Sequence, residues 1–154
     1  YWLGDMYENG YGVNKDISKA LALFNESAAQ GVVEAEARLG ELYLSGEETV
    51  QNFTEARRWL QKSANRGNAR AQRLLGHMNE YGLGGEKDAI RAYAWYQLAI
   101  LGGDGLAAHL RDQLLDTLSP EQIDEAQTYA EQLSKEVADT PAQLQDENQR
   151  TVPE

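Results

Sequence analysis

Cysteine is absent from this chain of 154 residues, so neither a disulfide framework nor a thiolate metal site can form. Only two histidines occur, His77 and His109, and neither lies in the His-Glu-x-x-His spacing of a zinc site. A Gly-x-Ser-x-Gly nucleophile elbow, a phosphate-binding loop and an EF-hand pattern are also missing. We therefore predict that the chain is not an enzyme and has no catalytic residues, no metal ligands and no cofactor.

Two further shortages, of long apolar runs and of basic residues, restrict the possible partners. No stretch approaches the roughly 20 apolar residues that a transmembrane helix needs, so we expect no direct membrane insertion. There are 14 Lys and Arg against 25 Asp and Glu, which gives a net charge of −11. This charge predicts no nucleic-acid binding and favours a basic or neutral protein partner. The alternative is that the acidity only maintains solubility.

A repeated spacing is the strongest positive feature of the sequence. The pairs Leu3-Gly4, Leu39-Gly40 and Leu75-Gly76 stand 36 residues apart, and so do Ala20, Ala56 and Ala92. The same interval relates three further sets, which are Gly10, Gly46 and Gly82; Gly31, Gly67 and Gly103; and Leu23, Trp59 and Trp95. A fixed period of this length is typical of stacked helical repeats that share one continuous core.

One unit, residues 33–68, shows the plan of each repeat. Apolar residues at helical spacing predict a first helix that ends near Gly46, a glycine suited to a left-handed C-terminal position. A second helix is predicted to start at the N-cap Asn52 and to end at Gly67. The glycine within the first helix, Gly40, costs roughly 1 kcal/mol relative to alanine. Its return at Gly4 and Gly76 predicts that a neighbouring helix approaches closely at this slot.

The two ends of the chain depart from the plan. In the repeat register, the position of Ala35 and Ala71 falls before Tyr1. We therefore expect the first helix to lack its beginning. Residues 104–118 are predicted to form a helix, and Ser119-Pro120 to begin another. We interpret residues 104–137 as a degenerate fourth helix pair that caps the array. The polar composition of residues 138–154 predicts a disordered tail.

These sequence features resemble those of a known family, the Sel-one-like (Sel1-like) repeat, abbreviated SLR. This family is a branch of the tetratricopeptide-like repeats. The resemblance rests on LGDMYENGYGVNKD at residues 3–16, AAQG at residues 28–31 and AYAWYQLA at residues 92–99. It implies an all-α fold, a right-handed α/α superhelical solenoid of antiparallel helix pairs, with three units over residues 1–103. It also implies an adaptor or scaffold role. One secreted branch joins its repeats by disulfides, and this cysteine-free chain departs from that branch.

The same resemblance implies where a partner binds, because in tetratricopeptide-like folds the first helix of each pair lines the concave face. At 100° per residue, slots 2, 5 and 9 point away from the core slots of Leu3, Gly4 and Tyr7. We name the residues of these slots the variable row. They are Trp2, Asp5, Asn9, Arg38, Glu41, Ser45, Leu74, His77, Tyr81 and Gln113. Alternatively, they are only exposed helix residues.

Three functional hypotheses follow from the sequence. The first is a protein-interaction module that holds a partner peptide or domain on the variable row. For this module we expect joint substitution of Arg38 and Tyr81 to weaken binding without unfolding the chain. The second is a structural spacer in a larger envelope or signalling protein, and the third is an acidic regulatory or immunity-type inhibitor of an effector. The style of residues 92–99 and 118–122 resembles bacterial sequences. Of the possible compartments we favour the bacterial periplasm or envelope over the cytoplasm.

Overall fold

The computed structural model describes the backbone of residues 1–149 and the side chains of residues 1–140. The described part is helical and contains no strand. It divides into two compact units, with unit 1 spanning residues 1–63 and unit 2 beginning at Ala64. The helices are α1 (Trp2–Asn9), α2 (Ile17–Ala29), α3 (Val33–Ser45), α4 (Phe53–Ala64), α5 (Ala69–Tyr81), α6 (Ala89–Leu101), α7 (Gly105–Leu115) and α8 (Pro120–Gln149). The predicted all-α class and the helix pairs are confirmed.

Local capping groups fix where the helices begin and end. The predicted N-cap is present, because the side chain of Asn52 accepts a hydrogen bond from the amide of Glu55 at 3.1 Å. Asp16 has the same role in the first repeat, where its side chain accepts one from the amide of Lys19 at 3.0 Å. At the other end of the first helices, Gly10, Gly46 and Gly82 adopt positive φ angles of 75°, 67° and 71°. This left-handed geometry favours glycine and ends each helix in the same slot.

The glycine within each first helix lies against a large side chain of the second helix. A methyl group added at Gly4 would lie 2.7 Å from Cε1 of Phe24, and one at Gly40 would lie 2.5 Å from Cγ of Leu60. Within unit 2, a methyl group at Gly76 would lie 2.5 Å from two ring atoms of Tyr96. Real Cβ atoms do not approach this closely, so the predicted close helix contact is confirmed at all three positions.

Small residues around these contacts complete the two cores. In unit 1, α2 packs against α1 and α3, and the buried cluster contains Ala20, Phe24, Ala28, Ala35, Leu39, Leu42 and Trp59. In unit 2, α6 packs against α5, α7 and α8, and Ala92, Trp95 and Tyr96 are buried. Burial of this apolar area stabilises each unit by roughly 25 cal/mol for every Å² removed from water.

The C-terminal helices differ in extent from the sequence-based boundaries. Helix α7 ends at Leu115, and residues 116–118 form a turn rather than the predicted last helical turn. Ser119 then caps α8 reciprocally with Gln122, because each backbone amide donates to the other's side chain, at 3.0 and 3.2 Å.

Helix α8 continues to Gln149, beyond the predicted start of the tail at residue 138. Alanine and glutamine, both of which are compatible with helix, make up five of the twelve residues 138–149, and the polar composition of the stretch did not indicate this. Residues 150–154 of the predicted tail lie outside the described residues. In the described part, even the 30-residue α8 is too polar to cross a bilayer, and no shorter helix combines the needed length and apolarity.

Replacing Gly76 with alanine should destabilise unit 2 although alanine is the better helix former. The methyl group would collide with Tyr96, whose hydroxyl is held by Glu80 at 2.6 Å. We expect overpacking to cost about 1–3 kcal/mol in the free energy of unfolding. Urea unfolding followed by circular dichroism measures this loss. The matched control is Gly105→Ala, where a methyl group meets nothing within 4 Å, and there stability should be unchanged or higher. Equal midpoints for the two variants would contradict the close-contact interpretation.

Candidate functional site

In unit 1 the variable row lies on α1 and α3. Trp2 is 78% exposed, and Asn9 and Ser45 are also exposed. Asp5 is half-buried, and its backbone carbonyl and side-chain carboxylate both accept hydrogen bonds from the Asn9 amide at 3.0 Å. The exposed members of this row are therefore accessible to solvent. Asp5 and Asn9, which lie one helical turn apart, are joined by these hydrogen bonds.

Arg38 joins α1 to α3 through two carboxylates. Its Nε donates to both oxygens of Glu8, at 3.0 and 2.9 Å, and its Nη2 donates to Oε1 of Glu8 at 2.5 Å. Its Nη1 donates to Glu41, three residues further along α3. Such a forked arrangement is the strongest geometry available to an Arg–carboxylate pair.

The charge of Arg38 is fixed by this arrangement. Burial opposes the charged form, but the hydrogen bonds that Arg38 donates to Glu8 and the attraction of Glu41 and Glu8 outweigh it, so the pKa of Arg38 is raised. A raised pKa gives stability that is complete below the ordinary pKa of arginine and is lost only as the pH rises through the raised value. Near neutral pH the contribution of Arg38 is therefore independent of pH.

Glu8 is the neighbour of the variable row that sequence reasoning missed. Its side chain is 3% exposed, although it is an acid on a helix of only eight residues. The signal was available, because residue 8 follows Gly4 by one helical turn and so lies on the core side of α1. A carboxylate on that side requires a cation from a neighbouring helix. Arg38 consequently supports the fold as well as the variable row, which differs from the expectation that it could be replaced without unfolding.

In unit 2 the variable row contains an aromatic pair at the end of α5. The rings of His77 and Tyr81 lie 4.6 Å apart between centroids, at an angle of 48°. His77 and Leu74 are half-buried, whereas Tyr81 is 52% exposed. The structure brings His77 and Tyr81 together, and it places Gln113 as an exposed residue of α7.

A partly buried hydrogen bond positions this end of α5. The hydroxyl of Tyr96 on α6 donates to Oε2 of Glu80 at 2.6 Å. Burial, followed by the bond to Glu80, raises the pKa of Tyr96, so the phenol remains a donor at all physiological pH values. Because Glu80 precedes Tyr81, the bond fixes the last turn of the helix that carries the exposed ring.

The arrangement offers contacts rather than reactive groups. Among the described residues, no group of three or more His, Asp or Glu side chains is disposed to hold a metal ion. The carboxylates of Glu8 and Glu41 are engaged with Arg38, and the described groups of the row can stack, donate and accept.

Comparison with known proteins gives the family context. The family model described as the Sel1 repeat matches residues 1–32, 33–68 and 69–104. A Sel1 repeat protein from Oxalobacter formigenes is similar in structure, with 32% identity and a TM-score of 0.65 over 69% of this chain and 44% of that one. No curated protein matches the chain.

A second solved structure is similar in fold alone. It is c5321, a protective antigen present in uropathogenic Escherichia coli strains displaying an SLR fold. It is 24% identical, with a TM-score of 0.63 over 100% of this chain and 40% of that chain. The present chain thus spans less than half the length of both solved proteins.

Replacing Arg38 with methionine should destabilise unit 1, because it leaves the buried carboxylate of Glu8 without its cation. We expect the free energy of unfolding to fall by about 3 kcal/mol. This value is the lower end of the range for breaking a buried ion pair, because Arg38 is itself partly exposed. Urea unfolding measures the loss.

Two variants control this measurement. Arg58→Met removes an exposed pair with Glu55 in the same unit and should cost under about 1 kcal/mol. The double variant Glu8→Gln/Arg38→Met should recover most of the loss, because no charge is then left buried. If Arg38→Met and Arg58→Met unfold at the same urea concentration, the ion pair does not have the structural role assigned to it.

Proposed function

This chain belongs to the Sel1 repeat family, and we propose that it is a scaffold module that binds a partner peptide or domain through the variable row. Repeats of this family generally mediate interactions between proteins, and such proteins are typically non-enzymatic. The observation that carries the proposal is the exposed ring of Tyr81 beside His77, on a first helix that is otherwise well packed.

Exposed aromatic residues support binding for a physical reason. A tyrosine that is half in water gains little for the fold, yet tyrosine and tryptophan are enriched among residues that contribute most to binding. In the slot of Tyr81 the other repeats have Asn9 and Ser45, so the fold itself does not require an aromatic ring there. The Glu80–Tyr96 bond holds the helix end, which lowers the ordering cost of binding at Tyr81.

The part of the row in unit 1 adds a second kind of contact. Trp2 offers an exposed indole, and the ring of Tyr1 packs against it edge-on, with centroids 5.3 Å apart. Asp5, Arg38 and Glu41 together have one more negative than positive charge, and the whole chain has a net charge of −11. We therefore propose a basic or neutral protein partner, whose approach this charge would assist.

The test is affinity capture from an extract of the cells that make the protein. It compares three baits, which are the wild type and two variants. The variant Tyr81→Ser places in unit 2 the residue that the same slot has at Ser45. The control Val50→Ser removes an apolar side chain that is 85% exposed in the loop between α3 and α4. Circular dichroism establishes that all three baits are equally folded.

Each captured protein is then purified and its dissociation constant is measured for the three baits. Loss of a central aromatic contact of about 2 kcal/mol corresponds to a roughly 30-fold weaker complex. We expect this loss for Tyr81→Ser and no change for Val50→Ser. A partner that binds the wild type and Tyr81→Ser with the same affinity would show that the variable row of unit 2 is not the binding surface.

A further inference from the structure

A cavity of about 530 Å³ lies within unit 2, between α6 and α8. Its volume is in the range of cavities that bind small ligands or short peptide segments. The residues that line it run from Tyr93 to Leu101 on α6 and from Gln127 to Lys135 on α8. At 1.5 Å per residue it therefore follows each helix for about 12 Å, as a groove between the two. We name it the α6–α8 cavity.

The α6–α8 cavity has an apolar wall that the repeat itself does not require. Leu98 and Leu101 of α6 line it, and Leu101 is 71% exposed. In the preceding repeat the same slots contain Lys62 and Asn65, and that repeat forms its second helix without leucine there. A single exposed leucine is ordinary on a protein surface, but one in the wall of a groove provides an apolar contact for a ligand.

A tyrosine hydroxyl in the α6–α8 cavity has no partner among the described residues. Tyr93 is only 6% exposed and lines the cavity. Its hydroxyl forms no hydrogen bond within the described part of the chain, and its oxygen is not sealed from solvent. The hydroxyl of a buried tyrosine normally has a hydrogen-bond partner. This one is therefore available to a ligand in the cavity.

Other polar groups at the cavity add donors and acceptors. Oε1 of Gln97 accepts a hydrogen bond from Nη1 of Arg111 at 3.0 Å, which holds the side chain and leaves its NH2 group able to donate. On α8, Glu131 and Lys135 lie one helical turn apart, and neither forms an ion pair with a described residue. A ligand thus meets hydrogen-bonding groups beside the apolar wall.

The surroundings of the cavity are acidic. Residues 120–140 of α8 contain six Asp and Glu and a single basic residue, Lys135. The potential along this helix therefore favours a positively charged group near Glu131. An extended peptide carries main-chain donors and acceptors that can pair with the polar side chains, and its own side chains can supply both an apolar and a basic contact.

We propose that the α6–α8 cavity binds a short extended segment of a partner protein, with an apolar anchor against Leu98 and Leu101 and a basic side chain beside Glu131. The main chain of the segment forms hydrogen bonds with Tyr93 and Gln97. The cavity is formed by second helices, whereas the variable row lies on first helices. It is therefore a separate site, which does not depend on the proposed function.

A second copy of this chain is a poorer occupant than such a segment. Each copy has a net charge of −11, so two copies repel each other. The acidic residues of α8 add to that repulsion at the cavity itself. A basic segment from a different protein meets the opposite situation, because the same charge assists its approach.

The test begins with a library of short random peptides displayed on phage, selected against the whole chain. The selected pool is then depleted against the variant Leu101→Asn, which places in α6 the residue that the same slot has at Asn65. The peptides that remain are synthesised, and their dissociation constants are measured by fluorescence anisotropy. Circular dichroism establishes that every variant is as well folded as the wild type.

Two matched pairs of variants locate the binding site. Leu101→Asn is compared with Leu106→Asn, which changes a leucine that is 65% exposed on α7 and does not line the cavity. Glu131→Lys is compared with Glu125→Lys, another exposed glutamate of α8 outside the cavity. We expect each cavity variant to weaken binding about tenfold and each control to change it less than about twofold at physiological ionic strength.

The selected peptides should share an apolar residue close to a lysine or arginine. If no peptide distinguishes the wild type from Leu101→Asn, or if the shared charge is acidic, the proposal is wrong. Loss of binding in Tyr81→Ser also overturns it, because the peptides then bind the variable row. A wild-type dimer that Leu101→Asn abolishes, measured by analytical ultracentrifugation, overturns it too, because the occupant is then a second copy.

Discussion

The contact between a helical glycine and one large side chain is the constraint on which the rest of this structure depends. At Gly4, Gly40 and Gly76 the first helix of a pair offers no Cβ, so Phe24, Leu60 or Tyr96 of the second helix fits directly against its backbone. The size of the second residue varies while the glycine does not. Close approach, rather than one particular side chain, is therefore what the repeat preserves.

This constraint separates residues that hold the fold from residues that are free to vary. Once the glycine side of each first helix is fixed, the opposite side can contain Trp2 in one repeat and Leu74 in another. The separation is incomplete in unit 1, where Arg38 belongs to the variable row and also neutralises the buried Glu8. Under the proposed function, a substitution of Arg38 would change both binding and stability, whereas one of Tyr81 would change mainly binding.

Features that depend on one position and its period could be predicted from the sequence. The close contact at Gly40, the cap at Asn52 and the helix end at Gly46 are all local rules repeated in register. Ion pairs between different helices could not be predicted. Glu8 and Arg38 are 30 residues apart in the sequence, and their contact depends on the packing angle of α1 and α3. The same holds for Glu36, which is buried and paired with Lys62 at 2.9 Å. The position at which α8 ends could not be predicted, because a polar composition is compatible with either helix or coil.

The most direct test of the central constraint is a double-mutant cycle between Gly76→Ala and Tyr96→Val. Valine lacks the two ring atoms that a methyl group at position 76 would meet at 2.5 Å. If close approach is the constraint, the cost of Gly76→Ala should largely disappear in the Tyr96→Val background, with a coupling free energy of about 1–3 kcal/mol. Additive effects, with the same cost of Gly76→Ala in both backgrounds, would contradict the account.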